Sequence, residues 1–116
     1  MPMVRCFKLR PAIVTETGAS ILTVTVEIWI VPGQRETFDA FEKQAFAIMR
    51  DHGAEVLEVR RSDPSIPDGP DEVHVLRFPS QTAFHAYRAD ARPTALAPVR
   101  ASCIANTQIE IASDQG

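Results

Sequence analysis

Ser20-Ile21-Leu22-Thr23-Val24-Thr25-Val26-Glu27-Ile28-Trp29-Ile30-Val31 alternates strictly between two kinds of side chain. Leu22, Val24, Val26, Ile28 and Ile30 make one continuous apolar face. Thr23, Thr25, Glu27 and Trp29 make the other, which is mostly polar. Alternation with a period of two residues is the signature of a half-buried strand. Pro32-Gly33 breaks it. Directly afterwards the period changes: Phe38, Phe41, Ala45, Phe46 and Met49 fall at i, i+3, i+7, i+8 and i+11, one stripe of an amphipathic helix. Glu36 lies near the positive end of that helix and Arg50 and His52 near its negative end, with Gly53 at the C′ position.

A second strand is expected over residues 54–61, carrying Val56, Leu57 and Val59. Residues 62–71 hold three prolines and a glycine and read as a loop, long enough to serve as a lid. A third strand is expected over 72–78. Ser80 is placed to cap a second helix through Ala83, Phe84 and Tyr87. Asp90 is placed to cap a short helix ending near Ala97, where Pro98 forbids an uninterrupted α-helix. Residues 106–112 read as the last strand, with Thr107, Ile109 and Ile111 against Gln108 and Glu110. The order β-α-β-β-α-β predicts an α+β, ferredoxin-like fold with a four-stranded antiparallel sheet. The domain is expected to span 20–112, between an N-terminal extension (1–19, with a further edge strand at Val4–Leu9) and a tail (113–116).

Composition limits the function classes. The 116 residues are 45% hydrophobic and 23% charged, the balance of one globular domain. The net charge is −3, only two residues are lysine, and no basic stripe is present to hold a nucleic acid. Cys6 and Cys103 are too far apart in sequence to suggest a disulfide framework or a Cys-x-x-Cys zinc site. No apolar run approaches the ~20 residues that cross a bilayer, and no leader pattern precedes the first strand. A cytoplasmic protein is expected, with no membrane or nucleic-acid partner.

With both helices on one side, the other sheet face needs a cover. Thr23, Thr25, Glu27 and Trp29 are too mixed for a second core within one chain, so pairing with the same face of a second copy is expected. The predicted unit is a homodimer with a partly polar cavity between its two sheets.

Three further motifs resemble known proteins. Val31-Pro32-Gly33-Gln34-Arg35-Glu36-Thr37-Phe38 resembles the strand-to-helix junction of the dimeric α/β-barrel superfamily, especially its antibiotic-biosynthesis monooxygenase-type domains. Leu76-Arg77-Phe78-Pro79-Ser80, with Ala83 and Tyr87, is similar to a narrower uncharacterised family, domain of unknown function thirteen-thirty. Asp90 to Arg100, ending Ala95-Leu96-Ala97-Pro98-Val99-Arg100, is similar to the same family's short helix. This chain departs from that family at Arg77 and Tyr87, where a glutamate and a tryptophan are usual. It also lacks the first-strand asparagine of the monooxygenase and haem-degrading relatives, and has Glu27 and Trp29 there. The resemblance implies the dimeric barrel and carries no reaction over.

The candidate site follows from the open face. Glu27, beside Trp29, is a candidate general base, or else an ion-pair partner of Arg77 or Arg60. Trp29 is placed to line a ligand pocket or anchor a dimer contact, and Thr25 shares its face. Arg77 is placed to hold an acidic ligand or to form a salt bridge. Tyr87 and Arg100 complete the ligand-binding set. Arg100 stands at a cavity entrance or satisfies carbonyls freed by Pro98. Cys103 reads as a small apolar core residue. His52, His74 and His85 show no metal-ligand spacing among themselves, so no metal is expected. His85 should project away from the core, so no haem or other cofactor is expected either. The function expected is small-ligand binding without an assigned reaction; the alternative is a cofactor-free monooxygenase or isomerase acting on a small aromatic or acidic metabolite.

Overall fold

The computed structural model describes residues 21–63 and 65–114. The elements run β1 (Ile21–Ile30), α1 (Arg35–Asp51), β2 (Glu55–Arg61), β3 (Glu72–Phe78), α2 (Gln81–Ala89), α3 (Ala91–Ala95), α4 (Ala97–Cys103) and β4 (Ile104–Asp114). All pairings are antiparallel, in the order β2-β3-β1-β4. This is the ferredoxin-like α+β arrangement. The edge strand expected at Val4–Leu9 lies outside the described residues. No helix among the described residues is long and apolar enough to cross a membrane.

The two faces of β1 go where the alternation sends them. Leu22, Val24 and Ile28 are buried beneath the helices, together with Leu76 and Phe78 from β3. Phe38, Ala45 and Ile48 are the buried residues of α1. Opposite Val24 and Val26 stand Leu76 and His74 of β3, so His74 and Glu72 share the helix-covered face with Leu76 and Phe78. Thr23, Thr25 and Glu27 pair with Arg77, Val75 and Val73 on the open face.

In β2, Val56 pairs with Leu76 and Val59 with His74, with a bulge between Val56 and Glu58. Without the extra residue, positions three apart would face opposite ways, so the bulge keeps both valines toward the helices. Gly53 follows α1 at φ +84 and its N–H bonds to Arg50 O at 2.9 Å, closing the helix as its position predicts. Ser80 Oγ accepts from Ala83 N at 3.0 Å and Asp90 Oδ1 from Arg92 N at 2.8 Å, so both expected N-caps are formed.

The helical run is interrupted just before Pro98, as expected, with α3 ending at Ala95 and α4 starting at Ala97. The helix that resumes was not expected: Pro98 sits in the first turn of α4, where its missing N–H has no intrahelical partner to lose. The last strand is longer than residues 106–112, because β4 pairs with β1 from Ile104 opposite Ile30 to Asp114 opposite Ile21. It therefore runs into the segment expected to be a tail.

The loop between β2 and β3 is tied down at its far end. Trp29 Nε1 donates to Asp68 O at 3.1 Å, and Ile30 N donates to Asp71 Oδ2 at 2.7 Å. Asp71 N donates to Ile28 O at 2.8 Å. These bonds fix the loop against the end of β1.

Candidate functional site

A cavity of about 340 Å³ lies between the helices and the covered face of the sheet. Its walls are mainly apolar, from Val24, Val26 and Ile28 of β1, the α1 stripe including Phe38 and Phe46, and Phe84 of α2. That volume is at the small end of ligand pockets, and the apolar lining with few polar groups is their usual character. Six polar side chains reach it: Glu42, His74, Tyr87, Arg88, Arg100 and Thr107.

One wall carries a buried charged cluster. His74 Nε2 donates to Glu72 Oε1 at 2.7 Å and stands 2.8 Å from Glu42 Oε2. Arg35 Nη2 donates to the other oxygen of Glu72, and Arg61 Nη1 stands 3.8 Å from it. The Glu72 side chain is 1% exposed and that of His74 6%. Phe38 and Phe46 pack on the imidazole with ring centroids 6.3 and 5.2 Å away. Burial works against a charged imidazole, but the two carboxylates outweigh it and raise the His74 pKa. For Glu72, burial pushes the carboxyl up, while the hydrogen bond from His74 and the charge of Arg35 help to bring it below its ordinary value.

The opposite wall offers positive charge. Arg100, on α4, donates from Nη2 to Thr107 Oγ1 at 3.3 Å instead of to carbonyls near Pro98. Arg88 lies over the Phe84 ring at 5.5 Å. Tyr87 packs against Phe78, and burial pushes its phenol up. At the rim, Asp90 Oδ2 accepts from His52 Nε2 at 2.8 Å and from Arg92 Nη2 at 2.9 Å, joining the end of α1 to the start of α3. Hydrogen bonds from Arg92 and His52 hold Asp90 far below the usual carboxylate range.

The residues singled out in the sequence do not form one site. Thr25, Glu27 and Arg77 share the open sheet face, with Trp29 at the end of that strand face. Tyr87 and Arg100 line the cavity on the other side of the sheet. Arg77 pairs with Glu55 and Arg60 with Glu58, so neither is the ion-pair partner considered for Glu27. His85 is exposed on α2, pointing away from the core. Cys103 is fully buried, with its thiol 3.3 Å from Val99 O.

Glu42, Glu72 and His74 were not among the sequence candidates. The expectation of no metal came from the spacing of the three histidines alone; the fold brings these three side chains together, each with a possible ligand atom within 4.8 Å of the others. Histidine spacing alone could not reveal it, because two of the three groups are carboxylates. The sequence did hold a signal. Glu72 and His74 have the parity of Leu76 and Phe78 on their strand, and Glu42 lies one turn from Phe38 and one turn from Phe46 on the apolar stripe of its helix. Polar residues at core positions of two facing elements mark a cluster.

No family model and no curated protein matches the chain. Solved structures do. A Rhodopseudomonas palustris protein of unknown function superposes with a TM-score of 0.70 at 13% identity, over 84% of this chain and 85% of that one. A dabb family protein with a ferredoxin-like fold, from Mesorhizobium loti, gives 0.64 at 17% identity, over 84% and 99%. A nipsnap family protein of unknown function from Agrobacterium tumefaciens gives 0.58 at 18%, over 83% and 88%. At these identities the likeness shows architecture and nothing of activity, and the architecture shared is the ferredoxin-like α+β fold.

Proposed function

We propose that this protein binds a small, largely apolar molecule bearing one acidic group, held between its helices and its sheet. The observation that carries the reading is the cavity of about 340 Å³ with an apolar lining and two arginines, Arg88 and Arg100, on its walls. An apolar body gains from burial at roughly 25 cal/mol per Å². The guanidinium fork of Arg100 supplies two N–H groups in the plane a carboxylate needs. This reading moves the pocket from the space between two sheets to the interior of one chain.

The test uses 2-naphthoate and its neutral amide as probes, by ligand-observed NMR or calorimetry. The acid should bind more tightly than the amide, and Arg100→Ala should erase the difference. Equal binding of acid and amide to the parent protein would refute the acidic-group reading.

The open sheet face is proposed to pair with the same face of a second copy. Supporting this, Trp29, Val73 and Val75 are half-buried residues among polar neighbours, and no ion pair reaches Glu27 among the described residues. Sedimentation at micromolar concentration should give a dimer; a monomer of 12.8 kDa would refute the pairing.

A further inference from the structure

We propose that His74, Glu42 and Glu72 bind a divalent transition-metal ion of the zinc class at the wall of the cavity. The inference stands apart from the acidic-ligand reading, since it rests on a different wall and different residues.

The first ground is convergence. His74 Nε2, one Glu42 oxygen and one Glu72 oxygen lie within 4.8 Å of one another. Zinc bonds to nitrogen and to carboxylate oxygen at about 2.0–2.2 Å, which sets tetrahedral donors roughly 3.4 Å apart. The present separations of 2.7 and 2.8 Å would widen by roughly 0.6–0.7 Å. Glu42, whose side chain is 18% exposed and faces the cavity, is the group free to move.

The second ground is a shortage of protons. Two carboxylate oxygens face a single imidazole nitrogen, which has at most one hydrogen to give. That hydrogen goes to Glu72, and Glu42 Oε2 is left buried without a hydrogen-bond donor. An unsatisfied buried carboxylate oxygen is costly unless a cation meets it. A metal ion satisfies all three donor atoms at once.

The third ground is what surrounds them. Arg35 holds the outer oxygen of Glu72, the kind of outer partner that fixes a ligand's orientation. The phenyl rings of Phe38 and Phe46 fix the imidazole plane. Glu42 and His74 both line the cavity, so a fourth coordination position would open into it. With a neutral imidazole, the two glutamates are balanced by Arg35 and Arg61, and a divalent ion makes the cluster net positive. The occupied site would then favour an anionic group or hydroxide at the open position. An imidazole donor selects against magnesium and calcium, which prefer oxygen alone.

The test is titration of tag-free, chelator-treated protein with Zn²⁺ by calorimetry and with Co²⁺ by visible absorption, Mg²⁺ serving as control. The expected result is one ion per chain, visible d–d bands with Co²⁺, and no competition from Mg²⁺. Outer partners alone change metal affinity roughly 10–100-fold, so loss of a direct ligand in Glu42→Gln or His74→Gln should weaken binding by more than about tenfold. Circular dichroism shows whether each variant folds. If His74→Gln does not, Glu42→Gln decides alone, because its side chain is at the cavity wall. Absence of stoichiometric binding, or binding that Glu42→Gln leaves unchanged, overturns the proposal.

Discussion

Replacing Arg35 with methionine should destabilise the protein by about 2 kcal/mol, and the size follows from what Glu72 would lose. Glu72 is 1% exposed and Arg35 36%, so the pair is half in and half out of solvent. Breaking a fully buried ion pair costs roughly 3–5 kcal/mol, because a charge is left buried without its partner. An exposed pair is worth about 0–1 kcal/mol. Solvent screening at Arg35, the continuing bond from His74 and the nearby Arg61 at 3.8 Å pull the value below the buried limit. Methionine keeps an unbranched apolar side chain and removes the guanidinium, which also lies over the Phe38 ring at 5.6 Å, so the change is chiefly electrostatic. For a domain of this length, about 2 kcal/mol lowers Tm by roughly 8 °C. Urea unfolding of the parent, Arg35→Met, Glu72→Gln and the double variant isolates the pair. A coupling of about 1–2 kcal/mol is expected. A single variant within about 0.5 kcal/mol of the parent, or a coupling near zero, would refute the view that Arg35 anchors the buried carboxylate.

Three other outcomes follow. Gly53→Ala places a Cβ at φ +84 and 3.0 Å from Pro79 Cγ, so urea melts should show a loss of about 1–2 kcal/mol. Asp90 has a folded pKa below its unfolded one, so the stability it contributes is present above the unfolded carboxylate range and is lost progressively as pH falls from that range through the lower folded value. Asp90→Asn should therefore be less stable than the parent at pH 7, with the gap closing in thermal melts as the pH drops below about 4. In a Cys6→Ala background, the buried Cys103 thiol, pushed up in pKa by burial, should react with Ellman's reagent only after unfolding; fast reaction of the native protein would contradict its placement.

The architecture was legible because local signals agreed with one another. The alternation of Leu22 to Ile30 set the covered face, and the Phe38 stripe supplied its cover. Ser80, Asp90 and Gly53 marked ends through hydrogen bonds that are local in sequence. Pro98 marked the interruption but not the helix beyond it, because the same residue that stops one helix suits the first turn of the next. The bulge in β2 left no sequence mark, since the bare chain does not show which residue of Val56-Leu57-Glu58 is left unpaired.

The site was only partly legible for a physical reason. Arg100 and Tyr87 could be marked one at a time, but a cavity is a property of several elements at once. Glu27 and Trp29 drew attention as polar and aromatic residues on a strand whose partner face was unknown. Glu72 drew none because alone it resembles an ordinary strand residue, and His74 was weighed only against the other two histidines. Their meaning comes from Glu42, thirty or more positions away in sequence, and from the pairing of β3 with β1.

The most direct measurement of the central claim is methyl-selective ¹³C NMR of the protein titrated with 2-naphthoate. Val24, Val26, Ile28, Ile48 and Ile109 line the cavity, whereas Val73 and Val75 report on the opposite sheet face. Saturable shifts confined to the first group are predicted, with Val73 and Val75 unmoved. Shifts centred on Val73, Val75 and the threonines of β1, with the cavity methyls silent, would place the ligand on the open face and contradict the account.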